Sequence, residues 1–256
     1  MPPTPAKARP PRSTVSPHVG RFVDFAEPSS ADDCLGLCHG DGPLPAALEP
    51  LVRRFTPFDP AHPASGGTGP QPAAAPAGRT PTVLFDRRRP GAAPTAAGAG
   101  ALPYQDGAFT LVISHFSIQR LDDPARVLGE MVRVCRGGGK VIIAEQVRPA
   151  RHASERDRLE RLRDPGHRGL PSLEKLITLL TQAGARVRRL DRLNVERPLE
   201  PWLEAAADPQ CAEAIRQALL EEVDGGPCTG ARPRVIGGEL WVTHTWAHLA
   251  AEPHGR

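Results

Sequence analysis

The stretch LPYQDGAFTLVISHFSIQRLDDPARVLGEMVRVCRGGGKVIIAE, residues 102–145, holds a turn, a strand, a helix, a glycine-rich break and a second strand in one run. Gln105, Asp106 and Gly107 supply the turn, and Phe109, Leu111, Val112 and Ile113 dominate a strand over 109–114. Asp122 and Asp123 stand just before Pro124 and predict a helix from there to Cys135. A carboxylate there accepts from the free N–H groups of the first turn, where proline loses nothing. Gly137, Gly138 and Gly139 read as the stop that ends the helix and feeds the strand Val141, Ile142, Ile143 and Ala144. Both strands are unbroken apolar runs, so both are buried on two faces, the pattern of a parallel sheet covered by helices. The fold class is α/β: a Rossmann-like, three-layer αβα sandwich.

Working toward the N-terminus, Cys34 to Cys38 reads as a strand that runs through His39, Gly40, Asp41 and Gly42 into a helix from about Pro43 to Arg53. Glycines at such a turn let the backbone approach a ligand and aim the helix N–H groups at it. A second strand, Arg54 to Phe58, ends in Asp59, placed where an acid can accept both hydroxyls of a ribose. Arg21 to Ala26 is the end of a helix before the first strand, and residues 1–20 form a proline-rich, disordered leader without the apolar core of a secretory signal. The domain spans 21–256, interrupted by an Ala/Pro/Gly-rich insertion at 60–101 that contains only a short strand, Thr82 to Phe85. Prolines 60, 63, 70, 72 and 76 exclude a continuous crossover helix. Either a substitute segment covers that sheet face or a partner chain does, as in a homodimer.

Toward the C-terminus, Ser172 caps a helix Leu173 to Gln182, followed by a strand Arg186 to Asn194. Helical segments follow at about Pro201 to Ala207 and Cys211 to Val223, then a last strand Glu239 to Trp246. Glu155 to Arg163 alternates in charge like a solvated helix. His115 ends a parallel strand, where open α/β sheets bind ligands, and its ordinary pKa suits a general base.

With 30 prolines and 25 glycines among 256 residues, long stretches must be irregular. The net charge of +3 comes from mixed signs, with no basic stripe among aromatics, so a nucleic-acid partner is not expected. No run of about 18 apolar residues would span a membrane. Five scattered cysteines fit reduced thiols in the cytoplasm, and Cys34, Cys38 and His39 lack a second ligand pair that would make them a metal site.

In order and spacing, the chain from about Val23 onward resembles the class I S-adenosylmethionine-dependent methyltransferases of the ubiquinone/menaquinone-methyltransferase-like type (methyltransferase type 11). The resemblance rests on the Leu-Pro-aromatic turn at Leu102, Pro103 and Tyr104, the helix start Asp123-Pro124, the Glu-Met-x-Arg-Val ending at Glu130 to Val134, and the triple glycine. Arg163-Asp164-Pro165-Gly166-His167 is similar to a turn of the family's substrate lid, here residues 148–170. The likeness implies a mostly parallel seven-stranded sheet with an antiparallel C-terminal edge strand, and S-adenosylmethionine as cofactor. It also implies a small-molecule acceptor methylated on oxygen, carbon or nitrogen, as in bacterial secondary metabolism.

The positions implied for the cofactor are Gly36, Cys38, Gly40, Gly42, Asp59, Asp86 (toward adenine), Leu102 and Ser114. Those implied for the acceptor are Phe116, Gln119 and Asp164, with His115 and His167 as bases. Where the family reads Val-Leu-Asp-Val-Gly-Cys-Gly-Thr-Gly, this chain has Cys34-Leu35-Gly36-Leu37-Cys38-His39-Gly40-Asp41-Gly42. Gly36 thus replaces an acid, Cys38 a glycine and His39 a small residue. These departures carry a second reading, a methyltransferase fold that has lost methyl transfer and serves as a cyclase-like enzyme or a non-catalytic partner.

Overall fold

The computed structural model describes residues 17–38, 43–58, 101–204, 206 and 208–254. Helix α1 (Pro17–Ala26), β1 (Asp33–Cys38), α2 (Pro43–Leu48), β2 (Arg54–Phe58), β3 (Phe109–His115), α3 (Pro124–Val134) and β4 (Cys135–Gln146) form the first part. Helices α4 (Ala153–Arg163) and α5 (Leu173–Gln182), β5 (Ala185–Pro198), α6 (Leu199–Leu203), α7 (Pro209–Val223), β6 (Arg234–Ile236) and β7 (Glu239–Pro253) follow.

Seven strands make one sheet in the order β2-β1-β3-β4-β7-β5, with β6 paired to β7. Strands β2, β1, β3 and β4 pair in parallel, while β7 runs antiparallel to β4, β5 and β6. The antiparallel C-terminal strand therefore sits at one side of a mostly parallel sheet, with β5 outside it. Helices α3 and α5 cover one face, where Leu128, Met131 and Leu176 pack on Val112, Val141 and Leu249. Helices α1 and α2 cover the other, where Phe22, Leu44 and Leu48 meet Leu111, Ile113 and Ile142. A third cluster joins α4, α6 and α7 through Leu159, Leu203, Ile215 and Leu219 to Val242 of β7, forming a cap on that strand. No helix among the described residues is long and apolar enough to cross a membrane, and no group of three His, Cys, Asp or Glu there could hold a metal.

Several expectations change in detail. Helix α1 opens at Pro17, inside the span read as a leader. Helix α2 stops at Leu48 and passes into a 3-10 turn, Glu49–Leu51, because Pro50 has no N–H to continue the ladder. The triple glycine is not a helix stop. Helix α3 ends at Val134 with Cys135 already extended, and the glycines lie inside β4, where the register with β3 shifts. A Cβ on Gly139 would sit 2.7 Å from the Thr110 carbonyl oxygen and 2.8 Å from Cys135 Sγ, so the close strand approach itself requires glycine. Strand β7 runs on past Trp246 to Pro253, carrying buried His244 and His248. The segment Thr82 to Phe85 and the rest of the insertion up to residue 100 lie outside the described residues.

The C-terminal end of α1 is held from the sheet. Lys140 Nζ donates to the carbonyls of Ala26 (3.0 Å) and Glu27 (2.6 Å), and Arg189 donates to the Phe25 carbonyl and to Glu27 Oε1. Cationic donors there satisfy the open carbonyls and complement the helix dipole.

Candidate active site

The strand order reverses at β1, which has β2 on one side and β3 on the other. Open α/β sheets bind ligands at the carboxyl ends of the strands at such a switch point. Here those ends are Cys38 and His115, which are register partners. Ser117 Oγ lies 3.2 Å from both the Leu37 and His115 carbonyl oxygens and ties the two strand ends together. Glu145, fully buried at the end of β4, accepts from Ile118 N (2.9 Å) and Gln146 N (3.0 Å), fixing the turn after β3. Phe116 occupies the left-handed region at φ 51°, an uncommon state for a bulky residue that must be enforced by its surroundings. Its N–H donates to the Ala144 carbonyl (2.9 Å) and its ring stacks edge-on to Trp246 (4.7 Å). Beside it, Ser114 Oγ is buried with no hydrogen-bond partner among the described residues, an arrangement that a polar ligand group would complete.

The predicted site residues divide sharply. Ser114, His115 and Phe116 gather at the switch point, and Gln119 lies in the 3-10 turn just beyond. His115 faces α1, with Phe22 at 5.0 Å and Phe116 at 4.6 Å between ring centres. Burial, together with nearby His248, pushes its pKa down to about 4, so its imidazole is neutral near pH 7 and a weak base. Cys38 turns into the core beneath α1 and α2.

At Gly36 the space for a side chain is taken. A Cβ there would meet the Phe55 ring at 2.5 Å, so this position offers a ligand no acid and no open seat. Leu102 is buried in the main core, its N–H held by Glu130 Oε2 (2.8 Å) and its carbonyl by Arg133 Nη2 (3.1 Å). Arg133 also donates to the Tyr104 carbonyl and to Asp106. The Leu-Pro-aromatic turn and the Glu-Met-x-Arg-Val helix end are therefore halves of one structural clamp. Gly40, Gly42, Asp59 and Asp86 lie outside the described residues.

His167 and Asp164 belong to the turn after α4. Asp164 Oδ1 accepts from Gly166 N (3.0 Å) and shapes that turn. His167 Nδ1 accepts from Gly169 N (3.0 Å), which leaves Nε2 as a buried N–H donor without a partner among the described residues. Helix α4, whose charge pattern reads as solvated, instead buries Arg156, Asp157 and Glu160. Arg156 Nη2 contacts Glu160 Oε1 (2.6 Å) and His244 Nδ1 (3.1 Å), and Gln146 Nε2 donates to Glu160 Oε1 (2.8 Å). The guanidinium groups of Arg156 and Arg163 lie over the Trp202 ring. Burial alone would raise the Glu160 pKa, but Arg156, His244 and Arg163 outweigh it and hold it near about 2.

Between α1 and the β5–β7 edge lies a cleft of about 340 Å³, lined among others by His18, Arg21, Leu193, Val195 and Trp246. Phe116 packs against the cluster of Leu193, Val195 and Trp246, so the floor of the cleft is continuous with the switch point. Of these features, Glu145 had a readable signal, a charge ending an apolar strand. Ser117, Phe22 and Trp246 had none, since each reads equally well as ordinary core.

Known proteins share the fold and part of the sequence. Residues 84–143 match the Methyltransferase domain family. Over that segment the chain is similar to a methyltransferase domain, and its sheet has the fold of the class I S-adenosylmethionine-dependent methyltransferase superfamily. Within it, a demethylmenaquinone methyltransferase from Renibacterium salmoninarum is 40% identical over 63 residues, 25% of this chain and 27% of the relative. A Bacillus halodurans C-125 protein provisionally assigned as a methyltransferase shares the fold at TM-score 0.67 and 16% identity, over 93% of this chain and 100% of that one. Geranyl diphosphate methyltransferase, solved with GPP and sinefungin, does so at TM-score 0.54 and 12% identity, over 93% of this chain and 78% of that one. The chain spans between 25% and 58% of the length of the curated relatives it matches.

Proposed function

We propose that the protein is an S-adenosylmethionine-dependent methyltransferase that modifies oxygen, carbon or nitrogen of a small molecule in the cytoplasm. The observation that carries this reading is the switch point itself. Two parallel strands end side by side there, with a buried hydroxyl on Ser114 that has no partner among the described residues and a left-handed Phe116 next to it. Sinefungin in a protein of the same fold supports the cofactor class. Ser114, with Gly40, Gly42 and Asp59 from the sequence pattern, would hold it.

A bound S-adenosylmethionine supplies a methyl group already activated on a sulfonium, so the protein contributes position and dryness. Phe116, Phe22 and Trp246 wall the site against water. His115, neutral at pH 7, orients an acceptor by hydrogen bonding more than it removes a proton. Isothermal titration tests the reading: micromolar binding of S-adenosylmethionine is expected. Ser114→Ala should weaken it by about tenfold, the worth of one buried hydrogen bond, with thermal stability unchanged or raised. No binding up to millimolar cofactor overturns it. The Phe55 ring over Gly36 favours the second reading, a fold retaining the site without methyl transfer, and that same null titration would support it.

A further inference from the structure

We infer that the cleft between α1 and the β5–β7 edge receives an anionic ligand, a carboxylate or phosphate on an apolar, ring-sized body. This deepens the methyltransferase reading and rests on it only in taking that ligand to be the methyl acceptor. The floor is apolar: Leu193 is the register partner of Trp246, and both, with Val195, are buried beneath the cleft. The rim is cationic. Arg21 of α1 and Arg192 of β5 line the cleft, and Arg197, outside the lining, lies further along β5 on the face of Leu193 and Val195 by the two-residue period of a strand.

Most exposed arginines of this region are engaged with carboxylates: Arg188 with Glu252, Arg189 with Glu27, Arg216 with Glu200 and Arg234 with Glu196. Among the described residues, Arg21, Arg192 and Arg197 form no ion pair. The carboxylate that lines the cleft, Glu196, is already committed to Arg234 at 2.7 Å. The excess charge is felt locally, since burial first, then Arg197 and Arg21, lower the pKa of His18. Partial burial and then Arg163 disfavour the Arg197 cation itself. Guanidinium groups without an ion pair among the described residues, lining one cleft with a buried tryptophan, match an anion that brings its own apolar surface, because guanidinium recognises carboxylate and phosphate oxygens in a planar, two-pronged geometry. A volume of about 340 Å³ falls at the small end of small-molecule sites.

The test uses the full chain and three probes of one shape: 2-naphthoate, 2-naphthyl phosphate and the uncharged 2-naphthamide, titrated by calorimetry. At least one anion should bind about tenfold or more tighter than the amide, in keeping with charge-assisted hydrogen bonds. Which anion wins separates carboxylate from phosphate ligands. Arg192→Gln and Arg21→Gln should each reduce that preference while leaving amide binding and thermal stability unchanged, and Trp246→Ala should weaken all three probes. Equal affinity for anion and amide, an undiminished preference in both arginine variants, or no probe binding at millimolar concentration overturns the inference. Titration of S-adenosylmethionine in the same samples reads separately. Anion preference without cofactor binding removes methyl transfer and keeps the site, whereas cofactor binding without anion preference does the reverse.

Discussion

At position 36 a missing side chain and a neighbouring ring are complementary. The Phe55 ring occupies the volume that an aspartate would need, so Gly36→Asp should lower stability by about 1–3 kcal/mol through overpacking. Pairing it with Phe55→Ala should recover stability and tighten S-adenosylmethionine binding, as read by thermal denaturation and calorimetry. An unshifted melting temperature for Gly36→Asp alone would show that the ring is not the obstacle. The histidines near the switch point make a second residue-scale prediction. Burial chiefly, with His248 acting on His115 and Arg21 on His248, depresses both pKa values to about 4. The unfolded chain, with ordinary histidines near 6.5, binds protons first as pH falls. Stability is therefore full above pH 6.5 and drains between 6.5 and 4, by at most about 3 kcal/mol per histidine. Denaturant titrations across that window should show a shallower slope for His115→Gln than for the native protein.

At the scale of elements, the cap of α4, α6 and α7 depends on a buried ion pair. Glu160→Gln leaves Arg156 charged and buried beside His244, and should cost about 3–5 kcal/mol in chemical denaturation. Arg156→Met combined with Glu160→Leu should cost less than Glu160→Leu alone, because Arg156 no longer stays charged and buried, while Arg163, 3.4 Å from Glu160, keeps its charge in both variants. Additive losses in that double variant would argue that packing, not charge, sets the cap. This element was also the least legible in the sequence. Arg156, Asp157 and Glu160 alternate with other charges as they would on a wet helix, and only the partners Gln146 and His244, about 100 residues apart, reveal that the face is dry. The parallel strands were legible because their apolar runs have one physical reading. The glycines at 137–139 were misassigned because a glycine stop and a glycine forced by strand contact look alike until Thr110 is placed beside Gly139.

The whole molecule divides its labour between the two sides of the sheet. Helices α3 and α5 close one face around the largest core, while α1 and α2 cover the other and leave a cleft between α1 and the β5–β7 edge. The half of the candidate site that was readable, Ser114 to Phe116, belongs to the regular sheet. The cleft was not readable, because it joins residues near the N-terminus to the last strand and no local pattern encodes that meeting. The two ends of α1 are also unlike. Lys140 and Arg189 rivet its exit from below, whereas near its start His18 meets the sheet by edge-on ring contact with Trp246 at 5.1 Å. Among the described residues no hydrogen bond or ion pair ties that start to the sheet. Amide hydrogen exchange along the helix is therefore expected to be faster at its start than at its riveted exit.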